Sequence, residues 1–136
     1  MKSLAWNLLG NRQDAEEAVQ ETFLKAYRAS GEFRGQAALN TWMFRILVNT
    51  CHNFGRAKRR RREAEPVADT GVSDGGLRFA LRNAIEKLDE PLRRVFLLYE
   101  VEGFTHAEVG AILDIPEGTS KARLFEAKQH LRRLLR

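Results

Sequence analysis

The chain has 136 residues, a formal net charge of +5, one cysteine and three histidines. That length holds one compact domain or two minimal ones, each only marginally stable on its own. A single cysteine excludes an intramolecular disulfide, three scattered histidines give no ligand cluster at metal-site spacing, and no apolar run reaches the length of a membrane span.

The start MKSLAWNLLG lacks the long apolar core and cleavage site of a secretory signal, so the chain reads as soluble and cytoplasmic, with no membrane partner. The basic balance favours a polyanionic partner without naming it. From about Asp14 to Ala29, residues Ala15, Ala18, Val19, Thr22, Phe23, Ala26 and Tyr27 recur at steps of three and four, which draws an apolar stripe along a helix. The opposite face carries Asp14, Glu17, Gln20 and Glu21. A second helix starts near Asn40 and presents Leu39, Trp42, Met43, Ile46, Leu47 and Phe54. Beside that stripe, Thr41, Arg45, Asn49, His52, Asn53 and Arg56 form a polar one, which leads into the run from Lys58 to Arg62. Cations for phosphates, amide edges for bases and the nearby rings of Trp42 and Phe54 suit single-stranded or opening DNA.

Residues 64–76, AEPVADTGVSDGG, have linker composition and divide the chain into helical halves, 1–63 and 77–136. Leu77, Ala80, Leu81, Ala84, Ile85 and Leu88 give a third helix. A fourth begins after Asp89, with Pro91 in its first turn, and buries Leu92, Val95, Phe96 and Tyr99. Next, Thr105 and Glu108 form a capping box for a short helix whose buried face is Val109, Ile112 and Leu113. Asp114 to Gly118 break it. A last helix begins near Thr119, with Leu124, Ala127, Leu131, Leu134 and Leu135 on one side and Lys121, Phe125, Lys128 and Arg132 on another. A short capped helix, a turn and a basic helix make a helix-turn-helix pattern, which seats one helix in a major groove.

Three segments, DAEEAVQETFLKAYR, FRGQAALNTWMFRILVNTCHNFGRAKRR and LRRVFLLYEVEGFTHAEVGAILDIPEGTSKARL, resemble in order the conserved regions of extracytoplasmic-function sigma factors of the sigma-70 family. The resemblance implies an all-α protein: a promoter-melting domain reading the minus-ten element, a flexible linker, and a helix-turn-helix domain reading the minus-thirty-five element. It implies minus-ten contacts from Trp42, Arg45, Asn49, His52, Asn53, Arg56, Arg59 and Arg60. Minus-thirty-five contacts would come from Thr119, Ser120, Lys121, Arg123, Phe125, Lys128 and Arg132; helix geometry puts Lys121 and Arg123, in the first turns, on bases and Lys128 and Arg132, farther along, on phosphates. Asp14, Glu17, Gln20 and Glu21 would dock on the clamp helices of the beta-prime subunit of core RNA polymerase. Promoter DNA, core polymerase with its beta and beta-prime subunits, and an anti-sigma factor are the partners implied; no metal or cofactor is. Ser120 stands where the family often has Val, which weakens an expected core contact.

Two other classes fit the sequence less well. An enzyme needs a nucleophile with its base, paired carboxylates, a phosphate-cradling loop or a metal cluster, and none is legible; Cys51 and His52 are adjacent, so on a helix they point about 100° apart. An autonomous helix-turn-helix regulator needs only the second half and usually a dimer, which leaves residues 1–63 without a purpose.

Overall fold

The structure, a computed structural model, describes residues 1–32, 39–62 and 76–135, with the side chains of Glu32 and of residues 58–62 left aside. Helix α1 spans Lys2–Leu9 and stops at Gly10, whose left-handed backbone (φ 67°) lets its N–H donate to the Trp6 carbonyl. This helix precedes the first apolar stripe legible in the sequence, which begins near Asp14. Helix α2, Arg12–Arg28, is started by the Asn11 side chain, which accepts from the Asp14 N–H at 3.1 Å. A 3-10 turn, Ser30–Glu32, follows, and then α3, Leu39–Arg62. In the second half α4 is Leu77–Glu86 and α5 is Glu90–Phe96, which runs on into a π-turn, Leu97–Val101. Helix α6, His106–Leu113, and α7, Glu117–Leu134, complete an all-helical fold with no strand among the described residues. Nearly all of the expected linker lies outside those residues.

Both halves feed one buried cluster. Leu4 and Ala5 of α1, Ala18 of α2, Leu47 and Val48 of α3, Val95 of α5, Leu97 and Leu98 of the π-turn, Val109 of α6 and Ala127 of α7 all belong to it. Helix α3 packs between α2 on one side and α6 on the other. Across the second of these contacts Phe44 meets Phe104 edge-on, with centroids 4.9 Å apart. Arg82 of α4 lies over the Trp6 ring of α1 at 5.7 Å.

Several expected stripes are wider than the grooves that receive them. On α2 only Ala15, Ala18, Val19, Thr22 and Ala26 go inside, because these small residues let α1 and α3 approach closely; Phe23 and Tyr27 stay on the flank, 54% and 82% exposed. On α4 Ala84 and Ile85 are buried, as is Leu88 just past its end, whereas Leu77, Ala80 and Leu81 are exposed. Leu134 and Leu135 at the end of α7 are exposed as well. On α3 the buried centre is Phe44, Leu47, Val48 and Cys51, rotated from the expected stripe, since two partners cover a broader arc than one. Leu39 is exposed; Trp42, Met43, Ile46 and Phe54 are half-buried.

Candidate nucleic-acid interface

The capping box forms as expected: the Glu108 N–H donates to Thr105 Oγ1 (3.2 Å) and the Thr105 N–H donates to Glu108 Oε1 (2.9 Å). The turn after α6 is closed by Asp114 in a left-handed backbone (φ 57°, ψ 50°), which Asp tolerates better than most residues. The return is tight. A Cβ on Gly110 would lie 2.7 Å from the Ile115 carbonyl oxygen, so only glycine admits this approach.

Helix α7 starts at Glu117, two residues before the expected Thr119, with Pro116 as its N-cap. Its inner face is Ser120, Leu124, Ala127 and Leu131, all buried. At about 100° per residue, Ala122, Phe125, Glu126 and Gln129 point outward. Lys121 and Phe125 stand free of the core, 63% and 64% exposed. Arg123 falls on the other flank, half-buried like Thr119, and Arg132 is exposed. Lys128 is engaged by Glu100 of the π-turn at 2.7 Å. Ser120 is 0% exposed and shares a 2.9 Å hydrogen bond with His106 Nδ1, so its hydroxyl faces inward, away from any DNA on the outer face.

On α3, Arg45, Asn49, Asn53 and Arg56 are exposed, and the same geometry puts them on one face with half-buried Trp42 among them. The side chains of Arg59 and Arg60 lie outside the described set. His52, at the edge of this face, turns toward the second half. Arg94 Nη2 donates to His52 Nδ1 (2.6 Å) and also to Glu90 Oε1, while Glu90 Oε1 lies 3.2 Å from the same Nδ1. One nitrogen cannot accept from Arg94 and donate to Glu90 at once. A guanidinium can only donate, so Nδ1 accepts from Arg94 when the ring proton sits on Nε2 and donates to Glu90 when it sits on Nδ1, while Arg94 holds the carboxylate in both cases. Burial pushes the Glu90 carboxyl up, but His52 and Arg94 outweigh it and hold it below the ordinary value. Burial also drives the Cys51 thiol up to about 12, despite Arg94, which makes it an inert core group.

A depressed carboxyl contributes stability that is present above the ordinary glutamate value of 4.5 and is lost as pH falls through its lower folded value. Glu90→Gln is therefore expected to cost about 1 kcal/mol at pH 7 and to converge with the wild type as the solution is acidified below pH 4.5. Urea unfolding at a series of pH values checks this; parallel curves for the two proteins would refute it.

Helix α2 turns Glu17, Gln20, Leu24 and Tyr27 outward, with Asp14 and Glu21 half-buried beside them. Glu21 also lies 3.5 Å from Lys25, whose amine donates to the Thr50 hydroxyl of α3.

Residues 1–61 match the family model for Sigma-70 region 2, and residues 78–131 match that for Sigma-70, region 4. The chain is 36% identical to the ECF RNA polymerase sigma-E factor of Escherichia coli strain K12 over 135 residues, 85% of this chain and 71% of that protein. The chain belongs to the extracytoplasmic-function sigma factors. The sigma-E factor of Haemophilus influenzae is 32% identical, over 88% of this chain and 73% of its own length. Among solved structures, the sigma factor RpoE in complex with the anti-sigma factor NepR from Bartonella quintana superposes with a TM-score of 0.81 and 28% identity, covering 98% of this chain and 88% of that one. CnrH in complex with the cytosolic domain of CnrY gives 0.73 and 25%, covering 96% and 77%. As a sigma factor the chain works with RNA polymerase and promoter DNA, directing the enzyme to its start sites.

The sequence reading missed three features of this sigma factor. Helix α1 has no capping signal beyond Gly10. The Glu90–Arg94 pair that engages His52 has an i,i+4 spacing legible in sequence, but its partner 38 residues away is not. The contact between His106 and Ser120 needs the turn geometry that brings the two together.

Proposed function

We propose that the two regions divide promoter recognition between the exposed faces of α3 and α7 while the outer face of α2 docks on core polymerase in the cytoplasm. Arg45, Asn49, Asn53 and Arg56 hold the opening minus-ten strand, with arginines on phosphates and asparagine amides on base edges, and Trp42 offers its ring to an unstacked base. Arg59 and Arg60, the next arginines in the sequence, add positive charge to the same segment. His52 joins them only when released from Arg94. On α7, Lys121 and Phe125 reach base edges of the minus-thirty-five element, the ring suited to a thymine methyl group. Thr119, Arg123 and Arg132 hold phosphates.

The observation that carries this reading is the placement of four exposed hydrogen-bonding side chains along one face of α3, opposite a fully buried one. On α2, Glu17, Gln20 and Glu21 rim the exposed Leu24 and Tyr27, 56% and 82% accessible, and an apolar patch with a polar rim suits a protein partner such as the beta-prime clamp helices. By likeness to the two solved complexes, an anti-sigma factor is a further partner.

Transcription reconstituted from core polymerase and this chain on a promoter library tests the whole reading: specific start sites are expected, and none would defeat it. The double change Asn49→Ala, Asn53→Ala is expected to reduce strand opening about tenfold or more with core binding unchanged. Permanganate footprinting showing undiminished melting would remove both residues from the site.

A further inference from the structure

Helix α7 is fastened to neighbouring residues of the π-turn at two levels. At its first turn Ser120 is completely buried, yet it is polar, and its hydroxyl is 2.9 Å from His106 Nδ1. The His106 ring in turn lies flat on Tyr99, with centroids 4.2 Å apart and planes 18° apart. Two turns later Lys128 meets Glu100, the residue next to Tyr99, at 2.7 Å. Eight residues of helix separate the two fastenings, about 12 Å along the axis.

An apolar side chain at position 120 would fill the same space without regard to direction, since dispersion contacts tolerate small rotations. A hydrogen bond does not. The flat stack on Tyr99 then fixes the plane of the imidazole and so the direction in which Nδ1 points. Lys128 and Glu100 are 44% and 34% exposed, so their pairing is weak; it acts as a bias on the direction of α7 about its first turn and not as a support of the fold. The π-turn is itself a departure from regular helix of the kind often found at functional sites.

We propose that Tyr99, Glu100, His106, Ser120 and Lys128 are positioning residues that set the tilt of α7, and through it which bases Lys121 and Phe125 meet. This rests on the helix-turn-helix reading of α7. Under it, Lys128 is a mount for the helix rather than a phosphate contact.

The test uses holoenzyme reconstituted with the full chain, a promoter library randomised across the minus-thirty-five element, and sequencing of the transcripts, scored as relative base preference at each position. Ser120→Ala removes the hydroxyl without adding bulk, and Glu100→Lys breaks the surface pair without touching the core. Each is expected to redistribute preference at one or more positions by about threefold to tenfold, the bias one hydrogen bond supplies. Ser120→Thr, which keeps a hydroxyl, retains the wild-type profile, and the charge exchange Glu100→Lys, Lys128→Glu restores it. Uniformly lower transcription with unchanged preferences in Ser120→Ala and Glu100→Lys overturns the proposal. So does a charge exchange whose profile is no closer to wild type than that of Glu100→Lys. A wild-type holoenzyme indifferent to the randomised bases defeats the reading of α7 itself, an outcome distinct from these.

Discussion

The double change Glu17→Lys, Glu21→Lys is expected to weaken binding to core RNA polymerase by about 100-fold, because each lysine places a cation where an anion met the partner and like charges across an interface cost several kcal/mol. The fold should hardly notice. Glu17 is exposed and Glu21 half-buried on the outer face of α2, and the residues that carry the packing of this helix are Ala15, Ala18, Val19, Thr22 and Ala26. Among the described residues the internal contact at risk is the 3.5 Å pair of Glu21 with Lys25, an i,i+4 surface pair worth a few tenths of a kcal/mol. Unfolding free energy is therefore expected to change by no more than about 0.5 kcal/mol. Fluorescence anisotropy of labelled chain titrated with core enzyme measures the first quantity and urea denaturation the second. Unchanged core affinity would detach this face from polymerase; a matched loss of stability would make it a structural face instead.

The helices were legible wherever local chemistry sets them. Asn11, the Thr105–Glu108 box, Asp114 and Gly10 act through bonds within a few residues, so a sequence displays them even when, as at Gly10, the helix they close is overlooked. What the pattern could not give was how much of each apolar stripe finds cover. Phe23 and Leu24 look as buriable as Val19, but the depth to which α1 and α3 approach α2 is fixed by Ala15, Ala18 and Ala26, and the larger side chains are left outside. The same limit governs the site. The polar stripe of α3 follows from its spacing, whereas the diversion of His52 to Arg94 and of Lys128 to Glu100 depends on which helix lies opposite. Ser120 is the sharpest instance. Its position among interior residues follows from the period of α7, and sequence comparison makes it a weakened core contact; only the return of the chain at Gly110 and Asp114 reveals the imidazole that completes it.

Phe104→Ala is expected to destabilise the whole chain by about 3 to 5 kcal/mol, the usual cost of emptying a buried aromatic site. Phe104 is 9% exposed, sits in the second half just before α6, and meets Phe44 of α3 edge-on. Its loss removes both the apolar contact and the favourable ring geometry, and the backbone there has little room to collapse, since the Phe104 N–H is tied to the Leu98 carbonyl at 3.0 Å. Both tryptophans, Trp6 and Trp42, lie in the first half, so their fluorescence follows α1 and α3, together with the Arg82 contact over Trp6, at positions remote in sequence from the change. If the halves were independent units on a tether, that signal would keep its wild-type urea midpoint in Phe104→Ala. One buried cluster drawing on α1 to α3 and on α4 to α7 requires the opposite: the tryptophan midpoint should fall together with the far-ultraviolet circular dichroism of all helices, in a single transition. Separate midpoints for the two signals would show that the contact of α3 with α6 contributes too little to couple the regions. Coincident midpoints would mean that spreading the two reading faces apart on a promoter has to work against the same buried surface that folds the protein.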